Sequence, residues 1–202
     1  MPALPEENPP FAAVVAHQVR DFETWMHGFN QYEDTRRALG ALGHHINRTL
    51  DQPDIVRLYI PCRDRSSIDA FIASDEYQSI MREYGASDLD SLIWLKPLRS
   101  SIFRERQLPS VVIAQQVEDV DTWLNQYDCD NELRTAAGIL GNVANQSLDD
   151  PSLLVIYYQA DTFAELQAFV EAPEYIERMQ QAGATRERTV TYQVGEFGTR
   201  YT

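Results

Sequence analysis

Four histidines, His17, His27, His44 and His45, are the side chains of this 202-residue chain that could move protons near neutrality, because imidazole titrates there without help from its surroundings. His17 is the first candidate for a general base. It lies in the run AAVVAHQV (12–19), where strand alternation puts it on one sheet face with Val15 and Val19. Partial burial would tune such a side chain about neutral pH. The same burial suits a histidine that packs beneath a helix and bonds to backbone, and the residues alone leave both readings open. His44 and His45 are neighbours in a strand, so they point to opposite faces and cannot both serve one site; one of them is expected to be exposed.

A base of this kind needs groups that hold the anion it creates. Arg57, on the strand IVRLYIPC, is an odd residue for a central strand and calls for a carboxylate or an anionic ligand. Tyr59 and its counterpart Tyr157 could bring a hydroxyl into an apolar cavity and hold a phenol or enolate oxygen; the alternative is a hydroxyl satisfied by backbone. The expected catalytic set is therefore His17, Tyr59 and Arg57, with Asn47, His45, Trp94, Tyr32 and Tyr157 contacting substrate. Trp25 and Trp123 read as core. Arg36 and Arg134, near helix C-termini, are accounted for by the helix dipole and left outside the site. No His-x-His or His-Glu-x-x-His spacing occurs, so no metal is expected. Cys62 and Cys129 read as free thiols.

The elements that must position these residues follow from periodicity. After the first strand, Asp21 is a natural N-cap, and Phe22, Trp25, Phe29, Tyr32, Arg36 and Leu39 recur at helical steps up to Gly40 or Gly43. HHINRTL (44–50) and IVRLYIPC (55–62) read as a hairpin about a proline-bearing turn. A second helical pattern over 68–84 breaks near Ser74-Asp75 and closes at Gly85, and SLIWLKP (91–97) is the last strand. The order is β-α-β-β-α-β, that of a ferredoxin-like unit with both helices on one sheet face.

The unit occurs twice. Residues 111–196 repeat 13–98 at a constant offset of 98, with 24 identities in 86 positions and no gap. The expected architecture is α+β, two ferredoxin-like repeats whose uncovered sheet faces pack together as a single-chain pseudo-dimeric α+β barrel. Its parts are a tail over 1–10, a first repeat over 11–98, a linker over 99–109 and a second repeat over 110–197. A further homodimer is left open. Net charge is −14, and the second repeat carries 4 basic against 15 acidic residues, which argues against nucleic acid and anionic lipid as partners. With no apolar run of membrane-spanning length and no signal-like start, the expectation is a cytoplasmic protein.

HQVRDFETW (17–25), Arg36-Arg37-Ala38-x-Gly40, the turn Asp51-x-Pro53 and AFIASDEYQSIMREYGA (70–86) resemble the dimeric α+β barrel proteins, in particular the antibiotic biosynthesis monooxygenase-like branch. The resemblance spans both repeats and implies a fused form of a unit that elsewhere dimerises. Its first-strand histidine is matched by His17, whereas Tyr32 stands where a first-helix histidine is often found. Gln115 and Asp130 hold those places in the second repeat, which implies that any chemistry belongs to the first. The implied activity is that of a cofactor-independent cyclase or monooxygenase acting on an aromatic or polyketide-like small molecule through an enolate. The alternative is a barrel that binds a small ligand, or answers stress, without catalysis; haem degradation is a third idea.

Overall fold

The computed structural model describes residues 9–87 and 91–201, without the side chains at 196 and 197. Most of the tail expected over 1–10 lies outside the described residues. The rest forms two compact units, one running to Pro97 and taking in residues 196–201, the other Leu98–Gly195.

In the first unit, β1 (Phe11–Gln18) leads to α1 (Phe22–Gln31) and α2 (Glu33–Ala38), then β2 (Gly43–Thr49), β3 (Ile55–Cys62), α3 (Arg65–Ile72), α4 (Asp75–Glu83) and β4 (Ser91–Ser101). Antiparallel pairing of β1 with β3, β1 with β4 and β2 with β3 gives the sheet order β4-β1-β3-β2. Caps set the helix starts: the carboxylates of Asp21 and Asp64 accept from the backbone of Thr24 and Ser66, and the Ser74 hydroxyl accepts from Tyr77 N–H. Gly40 and Gly85 end α2 and α4 with φ of 86° and 72°, a conformation that a side chain resists.

Two features differ from the periodicity. The helix expected over 22–39 is broken at Tyr32, whose φ of −101° and ψ of 24° end α1 and start α2. The strand expected over 91–97 continues to Ser101, so the first residues of the expected linker belong to β4.

The second unit repeats the order: β5 (Ser110–Val117), α5 (Val120–Cys129), α6 (Asn131–Ala136), β6 (Ile139–Ser147), β7 (Leu153–Ala160), α7 (Phe163–Val170), α8 (Pro173–Gln181) and β8 (Ala184–Arg200). Its sheet order is β8-β5-β7-β6. The last residues of β8 pass into the first unit, where Tyr201 N–H donates to the Leu42 carbonyl at 2.9 Å. No helix of the described residues is long and apolar enough to cross a membrane.

The second unit has a closed core beneath its helices, built on Trp123, Tyr127, Leu166, Phe169, Tyr175 and Met179. Trp123 is fully buried and stacks on Tyr127 at 5.0 Å. Removing so large a side chain from a filled core costs about 3–5 kcal/mol. Trp123→Ala is therefore expected to lower the urea unfolding free energy by about that amount, and a loss below about 1 kcal/mol would contradict this packing.

Candidate functional site

Alternation along the first unit's strands decides which expected residues meet. Across the β1–β3 ladder, His17 lies opposite Val56, while Ala16 faces Arg57 and Val14 faces Tyr59. Val15, His17, Leu58 and Ile60 thus look toward the helices, and Arg57 and Tyr59 look away from them. His45 and Asn47 pair with Tyr59 and Arg57 and share that outer face. The expected catalytic trio is split: one residue of spacing along β3 moves Arg57 to the face opposite His17. Arg57 Nε donates to Thr49 Oγ1 at 3.3 Å, and burial pushes the Tyr59 phenol far above its ordinary range. Trp94 lies on the helix side, donating from Nε1 to Asp69 Oδ1 at 2.8 Å beneath the Arg65 guanidinium, but outside the cavity described below. Tyr157 belongs to the second unit, pairs with Val112 and Val143, and has its hydroxyl pushed up to about 12 by burial. The two strand histidines also differ from expectation, since His44 is buried and His45 half-buried, the latter with its ring against Gly198.

What His17 does meet is a cavity between the sheet and the helices of the first unit, of about 790 Å³ with its mouth included. Its walls are almost entirely apolar, with Val15, Leu58 and Ile60 from the strands and Trp25, Phe29, Ile68, Phe71 and Ile80 from the helices. His17 is 1% exposed, and its Nε2 lies 3.0 Å from the Tyr77 hydroxyl. Tyr77 is held at the start of α4 by the Ser74 cap and packs edge-on against Phe71 at 5.5 Å. Burial raises the Tyr77 phenol well above its ordinary value, so it keeps its proton at neutral pH.

A second polar group lines the cavity. The Arg36 guanidinium lies over the Phe29 ring, 3.5 Å from its centroid. Its Nη1 donates to the Phe29 carbonyl, which also accepts from Tyr32 N–H at 3.3 Å where α1 ends, and its Nε donates to the Tyr201 hydroxyl at 2.9 Å. Tyr201 in turn lies 2.9 Å from His44 Nδ1. Burial first, then the charges of Arg36 and His45, hold the His44 pKa down to about 4. His44 is thus neutral at pH 7, and the Tyr201 hydroxyl accepts from Arg36 while donating to Nδ1. Tyr32 and Tyr84, 6.4 Å apart in an edge-on pair, also line the cavity. Of the expected site residues, His17 and Tyr32 are therefore the two that the structure brings to one cavity. Tyr77, Arg36 and Tyr84 were missed; their signal was the aromatic and basic positions on the helix faces, read there as core or dipole.

The second unit fills the equivalent space. At the offset of 98, Ile60 is replaced by the fully buried Tyr158, whose hydroxyl lies 3.3 Å from that of Tyr175. Gln115 replaces His17, and Asp130 and Arg178 replace Tyr32 and Ile80 as an ion pair at 3.1 Å. The pair Gly28 and Tyr84 becomes Gln126 and Ala182, which exchanges the large member for the small one. A Cβ at Gly28 would collide with the Tyr84 ring.

No family model matches the sequence, and no curated relative does. Solved structures match along nearly the whole chain. A Lactobacillus acidophilus protein provisionally named a monooxygenase is 14% identical, with a TM-score of 0.68 over 95% of this chain and 96% of its own. An anthrone oxidase-like protein is 12% identical, with a TM-score of 0.62 over 96% and 94%. The haem-degrading enzyme of Listeria monocytogenes is 9% identical, with a TM-score of 0.53 over 90% and 98%. At these identities the likeness shows the fold: α+β, two ferredoxin-like repeats in one chain, as in a solved Listeria monocytogenes structure of ferredoxin fold related to antibiotic biosynthesis monooxygenases, 11% identical.

Two outcomes follow from this geometry. Gly28→Ala should destabilise the protein by about 1–3 kcal/mol through the Tyr84 clash, and adding Tyr84→Ala should recover part of that loss, a coupling read from urea midpoints of the single and double variants. His44 has a folded pKa of about 4, below its ordinary 6.5, so the unfolded chain takes up the proton first. Its contribution is whole above pH 6.5 and lost as pH falls toward 4, at most about 3 kcal/mol. His44→Asn, the residue found at 142, should flatten unfolding free energy across that window.

Proposed function

With that fold as premise, we propose that the protein is a small-molecule oxidase or monooxygenase that takes an aromatic, polyketide-like substrate into the helix-side cavity of its first unit. The buried His17–Tyr77 pair on an otherwise apolar wall is the observation that carries this reading. A neutral phenol hydrogen-bonded to an imidazole is a proton relay: the Tyr77 oxygen accepts a proton from the substrate as its own proton passes to His17 Nε2. An apolar enclosure favours a flat aromatic substrate and strengthens the electrostatics of the step. The existence of anthrone oxidase-like and monooxygenase-named structures with this fold supports the same class.

The chemistry draws on the acidity of the substrate and on O₂ as oxidant. A ring-activated CH₂ loses a proton to the relay, and the carbanion reduces O₂ and forms a C–O bond. Cleavage of the O–O bond leaves C=O on the substrate, and the second oxygen departs as water with the two hydrogens of the methylene. Arg57 and Tyr59, on the other sheet face, have no part in it. The second unit, with Gln115 at the place of His17, acts as scaffold.

An anthrone is the substrate to try first, followed by O₂ uptake with an electrode and by quinone absorbance. Wild-type protein should consume one O₂ per quinone formed. His17→Gln, which copies the second repeat, should lower the rate about 10²- to 10⁴-fold, the range for a positioned general base, with an unchanged far-ultraviolet spectrum. Undiminished turnover in that variant would refute the role of His17. Retention of the anthrone by wild-type protein without O₂ uptake would instead select a non-catalytic carrier.

A further inference from the structure

We propose that the ligand of the first unit's cavity carries a carboxylate, and that Arg36 receives it. This rests on the reading of that cavity as the substrate site, and concerns what binds rather than what reacts.

The guanidinium of Arg36 is fixed on three sides. Phe29 lies beneath it, its Nη1 holds the Phe29 carbonyl and its Nε holds the Tyr201 hydroxyl. Its Nη2 is buried and has no hydrogen-bond partner among the described residues. Nor does any carboxylate pair with Arg36 among those residues; nearby Glu33 is engaged by Arg37 at 2.8 Å. Arg36 as a whole is half-buried, but a buried N–H left without an acceptor is unfavourable unless something answers it. A carboxylate does so, since its oxygens accept from guanidinium N–H groups in one plane.

The internal repeat shows how the chain behaves where no ligand is needed. Arg134 repeats the stapling of Arg36, donating from Nη1 to the Tyr127 carbonyl over the Tyr127 ring. There the positions of Tyr32 and Ile80 hold Asp130 and Arg178, which pair with each other at 3.1 Å and fill that side of the interior, Asp130 being buried. The first unit has a tyrosine and an isoleucine at those places, with an open apolar cavity beside the cation. An aromatic acid would satisfy both features, its ring system on the apolar walls and its carboxylate at Nη2.

The test compares 2-naphthoic acid with its methyl ester, by calorimetry at pH 7 on the full chain. The acid should bind about 10- to 100-fold more tightly than the ester, as a charge-assisted hydrogen bond to a buried partner implies. Arg36→Gln should abolish that preference while leaving the ester's affinity within about 3-fold, and Arg36→Lys should keep part of it. If Arg36→Gln does not fold, the wild-type pH profile decides: affinity for the acid should fall as the carboxylate protonates below about pH 4–5, and that of the ester should stay flat. Equal affinities for acid and ester in wild-type protein, or no binding of the acid, would overturn the proposal. His17→Gln should retain the preference for the acid, so loss of turnover alone leaves this inference standing, and loss of the preference alone leaves the proposed oxidation standing.

Discussion

The packing of two helical layers on one sheet face is the constraint from which everything else in each unit follows. A sheet residue that points toward the helices must either complete a close-packed interior or line a space that something else fills. The two units resolve this differently with the same backbone plan. Tyr158 puts a ring into the interior of the second unit, against Phe169 at 5.2 Å and Tyr175 at 6.3 Å. Ile60, its counterpart, is smaller and half-buried, and the space it leaves is bordered by His17 and Tyr77. An interior that is not filled gives up dispersion contacts on its lining. A ligand that filled the cavity would restore them.

Much of this architecture was legible in the sequence because it rests on local rules. The caps at Asp21 and Ser74, the glycine stops at positions 40 and 85, and the hairpin about Pro53 each depend on a few adjacent residues. The duplication was legible because a constant offset leaves no freedom in alignment. The break at Tyr32 was not, since neither proline nor glycine marks it and the Phe29 carbonyl beside it is also taken by the side chain of Arg36, seven residues on. A side chain's claim on a carbonyl is a tertiary fact that periodicity does not carry.

The candidate site was only partly legible for a related reason. His17 was placed on its face by alternation, and the structure agrees. Alternation applied equally to β3 would have put Arg57 and Tyr59 on one face with each other and Val56, Leu58 and Ile60 on the next. What it could not supply is which β3 face matches that of His17, because that depends on the β1–β3 register, His17 opposite Val56. Register is a pairing between distant segments, and a shift of one residue would have brought Arg57 beside His17. Tyr77 was hidden differently, as one more apolar step on a helix, and only its 3.0 Å approach to His17 distinguishes it from core.

Arg36 shows how a duplicated chain can keep a residue for one purpose and make it available for another. In both copies the arginine ties the end of one helix to the start of the next, which is enough to retain it. The surroundings have then diverged. Tyr201 gives Arg36 Nε a hydroxyl, whereas the residue at the equivalent offset is Phe103, and Arg134 Nε has no hydrogen-bond partner among the described residues. The first copy thus orients its guanidinium more fully than the second, although stapling the helices does not require it. Orientation of a cation costs side-chain entropy, and it is useful where the remaining N–H edge must meet a planar acceptor. Burial and the Arg36 charge keep His44 neutral, so no second full charge competes with the guanidinium at that end of the cavity at pH 7.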